Sequence, residues 1–311
     1  MTMKKMSQKI TEETQEKRKR STSGRISPVR IILFILLLLI GLGVLLYPTI
    51  SNLWNERLHQ KMIGSYEEEL AELPDERKNE LLEEAREYNR QHKQNVIMDA
   101  FGDENDYVLT HPYDTMLAVD DSGMMCYLEI PRISEKMVVF HGISAKVLEK
   151  GVGHIEGTSL PVGGESTHSV MSAHRGLPSA KLFTDLDTMV VGDQFYIHVL
   201  DEHLAYEVDE INVVLPEEVS LLDIVPGEDL CTLVTCTPYG VNTHRLLVRG
   251  HRVPYVPPEE PTKTLWEKMS ELKFAIITLL VVLLIADIAF IVFRLRKRKK
   301  KEDDQNELPE Q

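Results

Sequence analysis

The sequence predicts a mostly β domain, a sandwich or closed barrel, preceded by a helical segment and held between two transmembrane helices. Three observations predict it. Two apolar runs, "IILFILLLLIGLGVLLY" (31–47) and "FAIITLLVVLLIADIAFIVF" (274–293), come close to the roughly 20 residues that a helix needs to cross a bilayer. The stretch after the first run is rich in Glu, Leu, Ala and Arg, which favour helix. From about residue 124 the pattern changes to short β-rich runs separated by turn residues.

The flanks of the apolar runs set the expected topology. Arg25 and Arg30 precede the first, with "KRKR" (17–20) further upstream, and "RLRKRKKK" (294–301) follows the second. Positive flanks stay cytoplasmic, so both termini are expected inside and the middle of the chain outside. The first run is long for a signal peptide and no A-x-A-like site follows it, which favours an uncleaved anchor over a cleaved leader. Asp287 stands alone in the second run, where a charge is costly, and one residue does not decide its role. Residues 1–30 and 294–311 are read as cytoplasmic tails.

Residues 51–98 read as helix, broken at Pro74, where Asp75 and Glu76 favour a fresh N-terminus. This region either lifts the following domain off the membrane or packs on it. Strands are predicted at 125–133, 135–143, 169–174, 194–200, 205–215, 231–237 and 244–254. The last of them are separated by turn chemistry such as "PGED" and "PYGVN". Residues 144–165 read as a Gly-rich loop with one helical turn, and 178–190 as a further short helix. The stretch "PYVPPEEPTK" (254–263) reads as a stiff extended linker back to the second apolar run.

Charge and cysteine content narrow the function. The chain has 311 residues and a formal charge of −14, and residues 51–270 carry 18 Lys+Arg against 39 Asp+Glu, a net of −21. That excludes nucleic acid as a natural partner. The three cysteines, Cys126, Cys231 and Cys236, are too few for a disulfide scaffold and leave at least one free. Cys231 and Cys236 are five apart, so in an unbroken strand they point to opposite faces and do not bridge. Cys126 and Cys231 are read as small buried hydrophobes, and Met124, Met125 and Met171 as core filler.

Cys236 ends an apolar run just before a Thr-Pro-Tyr-Gly turn, a placement that suits a nucleophile on a rigid scaffold. Arg245 opens the following run. If the two runs pair antiparallel, the guanidinium meets the cysteine, where it can stabilise an oxyanion. The base has to be a histidine from elsewhere. His174 lies at another strand end, marked by Gly176. His244 is a rival, although a residue adjacent to Arg245 faces the other side of the strand. Cysteine and histidine far apart in sequence are a weak signal by themselves. Thr235 either orients substrate or simply suits a strand, and Tyr239 either lines the pocket or packs on the barrel. His154 and His168 are read as surface histidines in polar loops. No His/Cys/Asp cluster has metal-ligand spacing, so neither a metal nor another cofactor is expected.

Two motifs carry a resemblance. "TLVTC", followed at nine residues by Arg245 in "HRLLVRG", is similar to the active-site signature of sortases. "GHIEGTSLPVGGESTHSVMSAHRGLPSAKLFTDL" (153–186) resembles the histidine region of the class C, or pilus-assembling, sortases, and the two-anchor layout matches that class. The resemblance covers roughly residues 95–295. It implies an eight-stranded sortase barrel over about 124–256, and a thiol transpeptidase with Cys236 as nucleophile, His174 as general acid/base and Arg245 as stabiliser. The implied substrates are pilin subunits bearing an LPxTG-like signal, cleaved between Thr and Gly, with a lysine of the next pilin as acceptor. A sortase that attaches proteins to cell-wall precursor is the alternative, and a non-catalytic, membrane-tethered scaffold is a remote one. Class C sortases usually carry a lid with an Asp-Pro-aromatic motif. Here the nearest match, in a lead-in at 99–123, is Asp99–Ala100–Phe101, without the proline; His111–Pro112–Tyr113 is a second candidate, without the acid. The remaining linker spans 257–273.

Overall fold

The computed structural model describes residues 28–91, 113–120 and 122–257, with 290, 293, 294 and 297. The chain forms two compact units, one of Leu46–Pro261 and one of Met1–Leu45 with Thr262–Gln311.

Helix α1 runs from Pro28 to Glu72. Its stretch Leu33–Glu72 is the one candidate membrane span among the described residues, with a mean hydropathy of 2.6 in an apolar window that is entirely unburied. Leu33, Phe34, Leu37 and Ile40 are all exposed, which suits hydrocarbon rather than water. The second predicted span, 274–293, lies outside the described residues except for positions 290 and 293, and Asp287 lies outside them too.

Within the larger unit, α1 gives way at Pro74 to α2, Asp75–Gln91, with Asp75 and Glu76 in its first turn as the macrodipole favours. Pro74 disfavours continuation, because proline lacks the N–H and crowds the preceding turn, although α1 does carry Pro48 in its interior. Leu81, Leu82, Ala85 and Tyr88 form one buried stripe on α2, and Ile63, Tyr66 and Leu70 do so on α1. Both stripes join the main core, so this region packs on the β domain instead of standing off it. Polar contacts fix the register. The Leu200 amide donates to the Tyr66 hydroxyl (2.9 Å), the Val138 amide to His59 Nδ1 (3.0 Å), and Asn89 pairs both ways with the backbone of Leu160 (2.7 and 3.1 Å).

Eight strands close a barrel: β1 Met124–Ile130, β2 Glu135–His141, β3 Val152–His154, β4 Thr167–Ser172, β5 Gln194–Val199, β6 Glu202–Val214, β7 Asp229–Thr237 and β8 His244–Val253. Their order around the wall is β1-β2-β3-β4-β7-β8-β6-β5, with β5 pairing back to β1. The pairs β2–β3 and β4–β7 are parallel and the others antiparallel. A short helix α3, Ala145–Leu148, lies between β2 and β3, and a 3-10 turn at Leu186–Thr188 stands where the second short helix was predicted.

The predicted runs match seven of these strands to within a few residues. The eighth, β3, falls inside what read as a Gly-rich loop. It has only three residues, and its glycine serves a close approach: a Cβ on Gly153 would lie 2.3 Å from the Gly142 carbonyl oxygen. The barrel interior holds Met171, Cys231, Leu233, Leu246 and Val248. A second, smaller apolar cluster of Ile155, Val170, Leu222, Val234 and Leu247 takes the other face of β4, β7 and β8.

Candidate active site

The site is built on three neighbouring strands. β4 and β7 run parallel in constant register, from Thr167 opposite Asp229 to Ser172 opposite Val234. The pairing continues past the end of β4: the Ala173 amide donates to the Val234 carbonyl (3.2 Å), and the Thr235 hydroxyl to the Ala173 carbonyl (2.8 Å). One further step sets His174 beside Cys236. On the other side, β7 and β8 are antiparallel with Cys236 directly opposite Arg245. Directly opposed residues project from the same face with Cβ atoms about 5 Å apart. His174, Cys236 and Arg245 thus stand in a row across β4, β7 and β8. Alternation places them on the face of Val170, Val234 and Leu247, outside the barrel interior.

Each member of the row is held. Arg245 is buried, and its Nη1 donates to the carbonyls of Asn242 and His244, both at 3.2 Å, so the turn after β7 tethers the guanidinium. That turn is closed by the Val241 and Asn242 amides on the Pro238 carbonyl (3.0 Å each). The His174 carbonyl accepts from the Phe183 amide (3.2 Å). Burial lowers the His174 pKa below its ordinary 6.5, and the Glu149 carboxylate partly offsets this. Cys236 is 7% exposed, at the rim of the wall.

The other cysteines are placed differently. Cys126 and Cys231 are fully buried in the main core, and burial raises both thiols far above the ordinary range. Neither is a ready thiolate. None of the three cysteines forms a disulfide, and Cys231 and Cys236 lie on opposite faces of β7.

Several expected roles change. His154 and His168 are not surface residues but fully buried. His154 Nε2 donates to the Ser159 carbonyl (2.9 Å), which leaves Nδ1 to accept from the Tyr113 hydroxyl (2.8 Å). Burial brings its pKa down to about 4. His168 bridges the Asp223 carbonyl (2.9 Å) and the Thr232 hydroxyl (2.7 Å). Thr235 is fully buried on the opposite strand face from Cys236, and its hydroxyl donates to the Ala173 carbonyl. His244 sits opposite Thr237 and bonds Thr243 (2.9 Å), on the other strand face from Arg245. Tyr113 packs under His154 and accepts from the Gly142 amide (3.0 Å), so it is a core residue. Asp99 and Phe101 lie outside the described residues.

Tyr239 is 59% exposed, with its ring over the loop that follows His174. A Cβ on Gly176 would meet that ring at 2.9 Å, and Gly176 has a left-handed backbone with φ +76. Two residues that the sequence reading passed over, Arg175 and Asp187, form an ion pair in the same loop. The signal for Arg175 was its position directly after His174; nothing in the sequence singled out Asp187.

A small pocket of about 20 Å³ lies beside the row, with Ile155, Val214, Glu218, Leu222, Leu247 and Arg245 in its lining. A larger, solvent-open cleft of about 900 Å³ lies among Arg86, Asn89, Arg90 and the 163–167 loop, and none of the three site residues lines it. Among the described residues no group of three His, Cys, Asp or Glu is arranged to hold a metal ion.

The closed eight-stranded barrel thus brings a cysteine, a histidine and an arginine together on one face of its wall. The family model for the sortase domain matches residues 128–253. A solved structure of sortase C from Streptococcus pneumoniae is 44% identical, with a TM-score of 0.58, covering 64% of this chain and 100% of that one. A pilus-related sortase C of Group B Streptococcus is 43% identical, with a TM-score of 0.57, covering 61% and 96%. Sortase A of Streptococcus agalactiae is 30% identical over 126 residues, 40% of this chain and 50% of that protein. The chain thus spans about half the length of that relative. The chain belongs to the sortase family, and the solved structures it resembles are of class C.

Proposed function

We propose that this chain is a membrane-anchored cysteine transpeptidase that cleaves an LPxTG-like sorting signal between Thr and Gly and joins pilin subunits through a lysine isopeptide bond. The observation that carries this reading is the placement of His174, two residues past β4, in line with Cys236 on β7 and Arg245 on β8. In the first step Cys236 Sγ, as thiolate, attacks the Thr carbonyl carbon. The oxyanion forms beside the Arg245 guanidinium, which the turn carbonyls already hold in place, so little reorganisation is needed. The C–N bond breaks, the His174 imidazolium gives its proton to the leaving Gly amine, and a thioester remains. In the second step a lysine Nζ of another pilin attacks the thioester. His174 takes the proton, the isopeptide bond forms and the thiolate leaves.

The net −21 between the apolar runs favours approach of a cationic acceptor. The exposed apolar α1 segment and the basic flanks of both runs support a two-pass anchor with cytoplasmic termini and the barrel outside. Assembly of the chain with candidate pilins tests the reading. Covalent ladders should form with the native chain and vanish with Cys236→Ala; ladders that persist in that variant would overturn the assignment.

A further inference from the structure

Arg175 follows His174 directly, and its side chain is only 8% exposed. The guanidinium reaches in two directions. Nη1 donates to the Thr237 hydroxyl (3.2 Å), on the residue directly after Cys236, and Nη2 is ion-paired with Asp187 at the far end of the same loop. Its Cζ also lies 5.8 Å from the Tyr239 ring centroid, over the turn that leads to Arg245. Nε is buried with no hydrogen-bond partner. A buried donor left unsatisfied costs stability, so this arrangement is not the one that stability alone would choose.

We propose that Arg175 is a positioning residue: its guanidinium ties the loop carrying His174 to the end of the strand carrying Cys236 and so sets the distance between imidazole and thiol. Hydrogen bonds hold Ala173 against Val234 and Thr235. His174 comes next and leads into the loop 175–187. The loop is braced internally by the Gly176 amide on the Thr184 hydroxyl (3.1 Å) and the Phe183 amide on the His174 carbonyl (3.2 Å). Arg175 is the link from this braced loop to Thr237. Its planar fork serves the hydroxyl and the carboxylate together, which a lysine's point charge cannot do in the same geometry.

The inference rests on the acyl-transfer reading above, and its test is built to separate the two. The full-length chain in detergent is compared with Arg175→Ala, Arg175→Lys, Thr237→Val, His174→Ala and the double variant His174→Ala/Arg175→Ala. Two readouts are used: acyl transfer from an LPxTG-type peptide, and the pH profile of Cys236 alkylation by iodoacetamide. Arg175→Ala should lower kcat by roughly 10- to 100-fold with KM little changed, as a misplaced general acid does. Its alkylation profile should move toward that of His174→Ala. Thr237→Val, which removes only the acceptor hydroxyl, should shift both readouts in the same direction to a smaller extent, so the test stands even where Arg175→Ala folds poorly. In the His174→Ala background the loss of Arg175 should change alkylation no further, since the residue acts through the histidine. Full activity in Arg175→Lys, or an effect of Arg175→Ala that persists undiminished without His174, would overturn the proposal. A native chain that transfers no peptide but still shows the predicted alkylation pattern would contradict the proposed substrate and leave the clamp supported.

Discussion

Cys236 and Arg245 are directly opposed residues of the antiparallel pair β7–β8, one register step in from Thr237 and His244, where the turn between the strands begins. Their side chains share the outer face of the barrel wall, and the guanidinium is held by the carbonyls of Asn242 and His244. The strand register, not chain flexibility, brings the cation to the thiol.

That relationship predicts the cost of replacing the fork by a point charge. Arg245→Lys keeps one positive charge but loses the planar donors, so kcat/KM for peptide cleavage should fall by roughly 100-fold or more, the range seen when an oxyanion donor is removed. Steady-state kinetics with an LPxTG-type peptide checks this. Near-native turnover would reduce Arg245 to a structural role.

His174 should titrate below 6.5. Burial disfavours its cation more than Glu149 restores it, so the resting imidazole is mostly neutral at pH 7. Its cationic fraction, and with it the general-acid step, shrinks as pH rises. An NMR titration of the His174 ring protons should give a midpoint below 6.5. A midpoint above that value would mean that a neighbouring anion, not burial, sets its charge.

The buried His154 should make the unit Leu46–Pro261 acid-sensitive. Its folded pKa is about 4 against 6.5 unfolded, so the unfolded chain binds a proton that the folded one refuses. The stability at stake is fully present above pH 6.5 and is lost as pH falls from 6.5 toward 4. At 1.36 kcal/mol per pH unit this amounts to about 3 kcal/mol. Urea unfolding at pH 7 and pH 4 should show a smaller drop in His154→Gln than in the native sequence. An equal drop would place the acid sensitivity elsewhere.

Much of this fold is visible in the alternation and turn residues of the sequence. Seven strands and the apolar N-terminal helix follow from local pattern, because each is long enough to repeat its period, and the break at Pro74 follows from the proline itself. β3 does not: three residues around a glycine carry no period, and that glycine is required by the carbonyl of Gly142, at the exit of the neighbouring strand β2. The pairing of Cys236 with Arg245 was legible as a hairpin across a turn. The third member was not, since His174 meets Cys236 through a parallel pair whose strands are separated by more than fifty residues, and parallel register leaves no local mark. His154 and His168 misled for the opposite reason. Their polar sequence neighbours describe a loop, while Tyr113 and Thr232, distant in sequence, supply the partners that allow both rings to be buried.

The most direct test of the central claim is intact-mass and peptide-mapping spectrometry of the full-length chain after incubation with an LPxTG-type peptide. The account predicts a thioacyl adduct on Cys236, cleaved after the Thr, and none on Cys126 or Cys231 or in Cys236→Ala. An adduct on another residue, or peptide cleavage that persists in Cys236→Ala, would contradict it.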